Sequence, residues 1–148
     1  MKTIVCKTEA ETMALGAKLA ESLCAPAFVA LYGDLGAGKT ALVRGMGERL
    51  GTRDVRSPTF TIVHEYRTDP PLVHFDAYRL ADGEELFAVG FEDYLRQNAV
   101  LVLEWAERVP DALPQRRLDV LLEGSGEEAR SVRFTPHGEE YESVVDAL

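Results

Sequence analysis

The residues with the clearest chemical purpose are Gly33-Asp34-Leu35-Gly36-Ala37-Gly38-Lys39-Thr40. They satisfy G-x-x-x-x-G-K-[ST] at every fixed position, the spacing of a loop that wraps a polyphosphate. Glycines at 36 and 38 let backbone N–H groups curl around a β-phosphate with no Cβ in the way. Lys39 adds a point charge between the β- and γ-phosphates. Thr40 offers its hydroxyl to Mg2+, a small octahedral ion usually held by one or two protein oxygens together with phosphates and water. The implied ligands are ATP and Mg2+, with nucleotide contacts expected from Asp34, Leu35, Gly36, Ala37, Gly38, Lys39, Thr40 and Ala41.

Such a loop works only between a buried strand and a helix, where loop amides and helix dipole converge on one anion. Residues 27–31 form a continuous apolar run of the kind buried on both faces of a sheet, and a helix is expected from about Lys39 to Leu50, ending at Gly51. Hydrolysis also needs carboxylates near the metal and the attacking water, at the C-terminal ends of neighbouring strands. Asp76 ends the strand begun at Leu72, and Glu104 ends the apolar strand 99–103. Glu104 is assigned the water-orienting or metal-facing role and Asp76 the metal-binding strand-end role, and these two roles are interchangeable at this level.

Around these elements, residues 2–6 read as a short strand. Thr8 and Glu11 have capping-box spacing before a helix with an apolar face at Met13, Ala17, Ala20 and Cys24. Residues 59–66 and 72–76 read as a hairpin across the turn at Asp69-Pro70-Pro71. Asp82 caps a short acidic helix, which 91–97 continues beyond Gly90. Residues 118–122 and 132–134 alternate as a second hairpin about Gly124-Ser125-Gly126, and Tyr141, Val144, Val145 and Leu148 mark a last helix. The expected fold is α/β: a three-layer sandwich like that of P-loop nucleotide hydrolases, a mixed sheet with a parallel centre and antiparallel edge strands, and one domain over residues 1–148.

Composition narrows the function classes. With 46% apolar and 28% charged residues the chain sits in the ordinary globular range. No apolar run reaches the ~18 residues needed to span a bilayer. Glu9, Glu11 and Glu21 interrupt any secretory-type stretch, so no membrane association and a cytoplasmic location are expected. Cys6 and Cys24 lack metal-ligand spacing and read as small buried hydrophobes. A net charge of −9 with no basic cluster argues against strong direct nucleic-acid binding.

Four blocks then stand in one order: residues 33–40, Ser57-Pro58-Thr59-Phe60, His74-Phe75-Asp76-Ala77-Tyr78-Arg79-Leu80 and Glu104-Trp105-Ala106-Glu107. Together they resemble the TsaE (YjeE) family, small bacterial ATPases that assist in making N6-threonylcarbamoyladenosine in tRNAs reading ANN codons. The resemblance implies action with the TsaD–TsaB threonylcarbamoyl-transferase, ATP turnover permitting repeated cycles, and tRNA contacted through the partners. It also implies that Thr40 and Glu104 face Mg2+, that Thr59 belongs to a segment sensing the γ-phosphate, and that Trp105 lies near the nucleotide or a partner. The catalytic set is therefore Glu104, Asp76 and Thr59, with metal contacts from Thr40, Asp76 and Glu104. Plainer roles stand beside these: Trp105 as a core aromatic, His74 as a packed strand histidine, and Tyr78 and Arg79 as loop residues. Arg79 is also the candidate arginine finger.

Two other readings compete. A GTPase would carry Asn-Lys-x-Asp, and none of the four lysines stands in one. A small-molecule or nucleotide kinase would need an arginine-bearing lid, for which only residues 108–117 qualify. A nucleotide-gated scaffold that hardly turns over grades into the ATPase.

Overall fold

A computed structural model describes residues 1–34, 36–56, 62–124 and 127–148. Thr59 and its neighbours 57–61, Leu35, and the turn residues Ser125 and Gly126 lie outside them.

The described residues form β1 (Lys2–Cys6), α1 (Glu9–Ser22), β2 (Ala27–Tyr32), α2 (Lys39–Leu50), β3 (Val63–Tyr66), β4 (Leu72–Asp76), α3 (Gly83–Ala88), α4 (Phe91–Leu95), β5 (Val100–Glu104), β6 (Arg117–Glu123), β7 (Arg130–His137) and α5 (Glu139–Asp146). The strands make one sheet in the order β1-β7-β6-β2-β5-β4-β3. Its centre, β6-β2-β5-β4, is parallel, and antiparallel pairs extend it at both edges. β2 thus lies inside the sheet, which is why its sequence is apolar without alternation.

Two cores lie on opposite faces. Val29, Leu31, Val100 and Val102 join Leu19, Leu42 and Met46 from α1 and α2, with Tyr141 and Val145 of α5. Phe28, Ala30, Leu101 and Leu103 join Leu86 and Phe91 from α3 and α4. Period-two alternation along β2 and β5 sends successive side chains to the two cores. This is the three-layer α/β sandwich expected.

Local signals also hold. Thr8 caps α1 as a full capping box with Glu11, Asp82 accepts from the Glu85 N–H at the start of α3, and Gly51 ends α2 at φ 122°.

Some expectations fail. α1 buries Thr12, Leu15, Gly16, Leu19 and Ala20, and not the stripe at Met13, Ala17 and Cys24. The reason is the α1–α2 crossing: a Cβ on Gly16 would come within 2.1 Å of Leu42 O, and one on Gly45 within 1.9 Å of Met13 O. Glycine faces that let backbones touch carry no apolar signal in a periodicity count. Cys24 is exposed, beyond the helix end at Leu23, whereas Cys6 is buried as expected. α4 stops at Leu95, and Gly90 at φ 88° separates it from α3. β5 is shifted by one residue, so Glu104 lies within the ladder.

Because that crossing tolerates no added carbon, Gly45→Ala is expected to cost at least about 1–3 kcal/mol of stability through overpacking. Urea unfolding checks this. An unchanged midpoint would mean that the helices can separate freely.

Candidate functional site

β2 delivers the chain to the glycine loop at the C-terminal edge of the parallel strands. Gly33, Gly36 and Gly38 all hold positive φ, at 143°, 79° and 100°. Two of them show why glycine is needed. A Cβ on Gly33 would lie 2.5 Å from Leu122 O, whereas a Cβ at Gly36 would meet nothing within 4 Å, so the loop leans on β6 at one end and opens at the other. Gly38 is the left-handed N-cap of α2 and gives it no side-chain cap. The first amides of this 12-residue helix therefore keep their donors for another acceptor. That is the local condition for an anion site. The side chains of Ala37 and Ala41 are buried in the body, so only their backbones can serve a ligand.

Lys39 is only 6% exposed. Its ammonium donates to Gly33 O, reaches Asp34 O at 3.5 Å, and lies 3.6 Å from the centre of the Trp105 ring. Burial pulls its pKa below the ordinary lysine range, and the nearby carboxylates of Glu104, Glu107, Asp76 and Asp34 only partly offset this. A desolvated, undercompensated cation beside uncapped helix amides is matched by a phosphate group. Thr40 is half-buried at the next position of α2.

The two acids meet through sheet register. Leu31 pairs with Glu104 across β2/β5, and Asp76 pairs with Glu104 across β5/β4. Both carboxylates thus stand on one face, at the strand ends beside Lys39. Glu104 is 2% exposed and lies 2.9 Å from His74 Nε2 through Oε2. Asp76 Oδ1 accepts from the Tyr78 N–H at 2.8 Å. Burial raises the Asp76 pKa, that hydrogen bond opposes the rise, and the Glu104 charge adds to it.

Directly after Glu104 the backbone turns sharply. Trp105 adopts φ 60°, ψ 42°, the one left-handed non-glycine among the described residues. Such a bulky residue is held there at a cost of order 1–3 kcal/mol, and strain of this kind collects at functional sites. The turn brings the indole over Lys39 and 4.9 Å from the Tyr78 ring, with the Arg108 guanidinium 4.9 Å from Tyr78.

The structure thus brings Asp34, Gly36, Gly38, Lys39, Thr40, Asp76, Glu104 and Trp105 to one edge of the sheet. Arg79 is exposed in the turn after β4. The lid stretch 108–117 is packed down: Val109 and Ala112 are buried, Arg116 pairs with Glu140, and Arg117 pairs with Asp119. Among the described residues no group of three or more His, Cys, Asp or Glu side chains could hold a metal unaided. The donor set suits an ion that takes most of its ligands from phosphate and water.

Two neighbours escaped the sequence reading. His74, read as a packed strand histidine, is indeed buried, but it bonds Glu104; its i, i+2 spacing to Asp76, which puts both on one strand face, was the available signal. Arg130, at the start of β7, lies against the loop, its Nε 3.7 Å from where a Gly38 Cβ would sit. Nothing local marks it, because β7 reaches the loop only by pairing with β6.

No helix among the described residues is long and apolar enough to cross a membrane. The model of the family described as threonylcarbamoyl adenosine biosynthesis protein TsaE matches residues 6–132. The tRNA threonylcarbamoyladenosine biosynthesis protein TsaE of Bacillus subtilis is 42% identical over 141 residues, covering 93% of this chain and 87% of that protein. Its namesake from Streptomyces coelicolor is 43% identical over 135 residues, 86% of this chain and 91% of the relative. The crystal structure of Bacillus subtilis YdiB superposes with a TM-score of 0.82 at 35% identity, over 98% of this chain and 91% of that one. With the family model matched over residues 6–132 and relatives above 40% identical over most of both chains, the chain belongs to the TsaE family.

Proposed function

We propose that this chain is a single-domain cytoplasmic ATPase, dependent on Mg2+, that serves N6-threonylcarbamoyladenosine formation in tRNAs reading ANN codons, working with TsaD and TsaB. The observation that carries the ATPase is the pairing of desolvated Lys39 and the uncapped amides of α2 with two carboxylates in register at adjoining strand ends. The pathway rests on the names of the relatives. Bound Mg2+ would supply charge neutralisation on the phosphates.

The chain's own residues divide the work. Backbone amides of residues 34–40 cradle the phosphates, Lys39 leaves Gly33 O for a phosphate oxygen, and Thr40 offers a hydroxyl to the metal. Glu104 orients water or faces the metal, and Asp76 supports the same ion. Trp105 shields this edge from solvent, and Thr59 senses the γ-phosphate by family likeness. A net charge of −9 supports leaving direct tRNA contact to the partners.

ATP hydrolysis by the protein alone and with TsaD and TsaB, comparing wild type with Lys39→Ala and Glu104→Ala at fixed Mg2+, tests this. Partner-stimulated turnover lost in both variants supports it. Turnover indifferent to the partners but stimulated by a small-molecule acceptor would replace it with a kinase.

A further inference from the structure

Deepening the ATPase reading and resting on it, we propose that His74 is a positioning residue whose Nε2–H holds the Glu104 carboxylate in one orientation beside Lys39. His74 registers with Val102, so it reaches Glu104 diagonally, two residues along the neighbouring strand on the same face. Nε2 and Oε2 are 2.9 Å apart, and the two side chains are 0% and 3% exposed. With both groups shielded from bulk solvent, the histidine proton decides where this carboxylate points. A glutamate has three side-chain torsions, and its usefulness next to a reacting phosphate depends on fixing them.

The other ring nitrogen supports a functional reason for the histidine. Among the described residues, His74 Nδ1 is buried with no hydrogen-bond partner. The side chain of its register neighbour His64 lies 3.4 Å from the Tyr66 hydroxyl and leaves Nδ1 unserved. An unsatisfied buried polar atom is a burden that an aliphatic residue at 74 would avoid. Packing alone would favour leucine here, whereas donation to Glu104 requires an N–H at the Nε2 position.

Four variants separate the possibilities: His74→Leu, His74→Gln, whose amide can reproduce donation from the Nε2 position, Glu104→Gln and Glu104→Leu. His74→Leu is expected to slow single-turnover hydrolysis at saturating Mg·ATP by roughly 10- to 100-fold, the usual effect of removing a partner that orients a ligand carboxylate. Its nucleotide affinity stays near wild type, and His74→Gln recovers most of the rate. In nucleotide-free protein labelled with 15N-histidine, His74 shows a downfield, slowly exchanging Nε2–H signal, which disappears in Glu104→Leu. A His74→Leu rate equal to wild type, a His74→Gln protein as slow as His74→Leu, or a rapidly exchanging Nε2–H would each overturn the proposal. If Glu104→Gln hydrolyses ATP like wild type, the ATPase role of Glu104 fails instead, and the nucleotide-free spectrum still decides whether His74 holds the carboxylate.

Discussion

Lys39→Met is expected to lose nucleotide binding while melting at or above wild type in the absence of nucleotide. The two effects share one cause. In the free protein the ammonium is almost fully buried, and its desolvation is only partly offset by nearby carboxylates and by the Trp105 ring. A phosphate supplies the missing compensation. Removing one partner of such a desolvated charge pair costs about 2–5 kcal/mol of binding, or ~30-fold to several thousand-fold in affinity. Methionine keeps the length of the side chain without a charge to bury. Trp105 is the only tryptophan and lies 3.6 Å from the ammonium, so its fluorescence in an ATP titration reads the loss directly. A melting point several degrees below wild type would mean that the bond to Gly33 O and the indole contact outweigh desolvation.

The same residue sets a pH dependence. Burial holds the folded-state pKa of Lys39 below that of an ordinary lysine, so between those two values the unfolded chain binds more protons at this residue than the folded one. The Lys39 contribution to stability therefore rises with pH across that window, and its burial penalty is fully present below it. Nucleotide affinity runs the opposite way: it is level while Lys39 is charged and declines as pH climbs through the depressed pKa. In Lys39→Met both of these contributions are absent, so the difference from wild type in each pH profile isolates them.

Glu104→Gln is expected to bind Mg·ATP with affinity close to wild type and to hydrolyse it roughly 10²- to 10⁴-fold more slowly, the range for a positioned acid–base group. Glutamine keeps the shape and retains an oxygen to accept from His74, so the buried pair survives. Only the carboxylate charge is lost. Glu104→Ala would additionally strand the His74 donor, at a cost of about 1–3 kcal/mol of stability. Single-turnover rates with and without partners, set beside binding constants, isolate the chemical step. Unchanged turnover in Glu104→Gln would move the catalytic carboxylate to Asp76, its register neighbour.

Residues close in sequence determined much of this protein without help. The loop 33–40 carries its glycines and lysine at fixed spacing, and strand β2 and helix α2 on either side follow from apolar runs and capping. Thr8 with Glu11 and Asp82 with Glu85 close helix ends through contacts three residues apart. Strand ends at Asp76 and Glu104 were legible because apolar runs stop there. These are short-range effects, governed by backbone sterics and local hydrogen bonds, and a sequence displays them.

Other features depended on pairings between distant segments. Parallel register of β4, β5 and β2, set by how two cores fill, placed Asp76 against Glu104 and Glu104 against Leu31. Diagonal neighbourhood across the same ladder joined His74 to Glu104, residues 30 apart in the chain. The left-handed turn at Trp105 swung the indole onto Lys39, a choice no propensity favours for a bulky residue. Contact between α1 and α2 through Gly16 and Gly45 overrode the apolar stripe that pointed to Cys24. In each case the deciding energy comes from burial and from satisfying polar groups among segments that meet only in the folded chain.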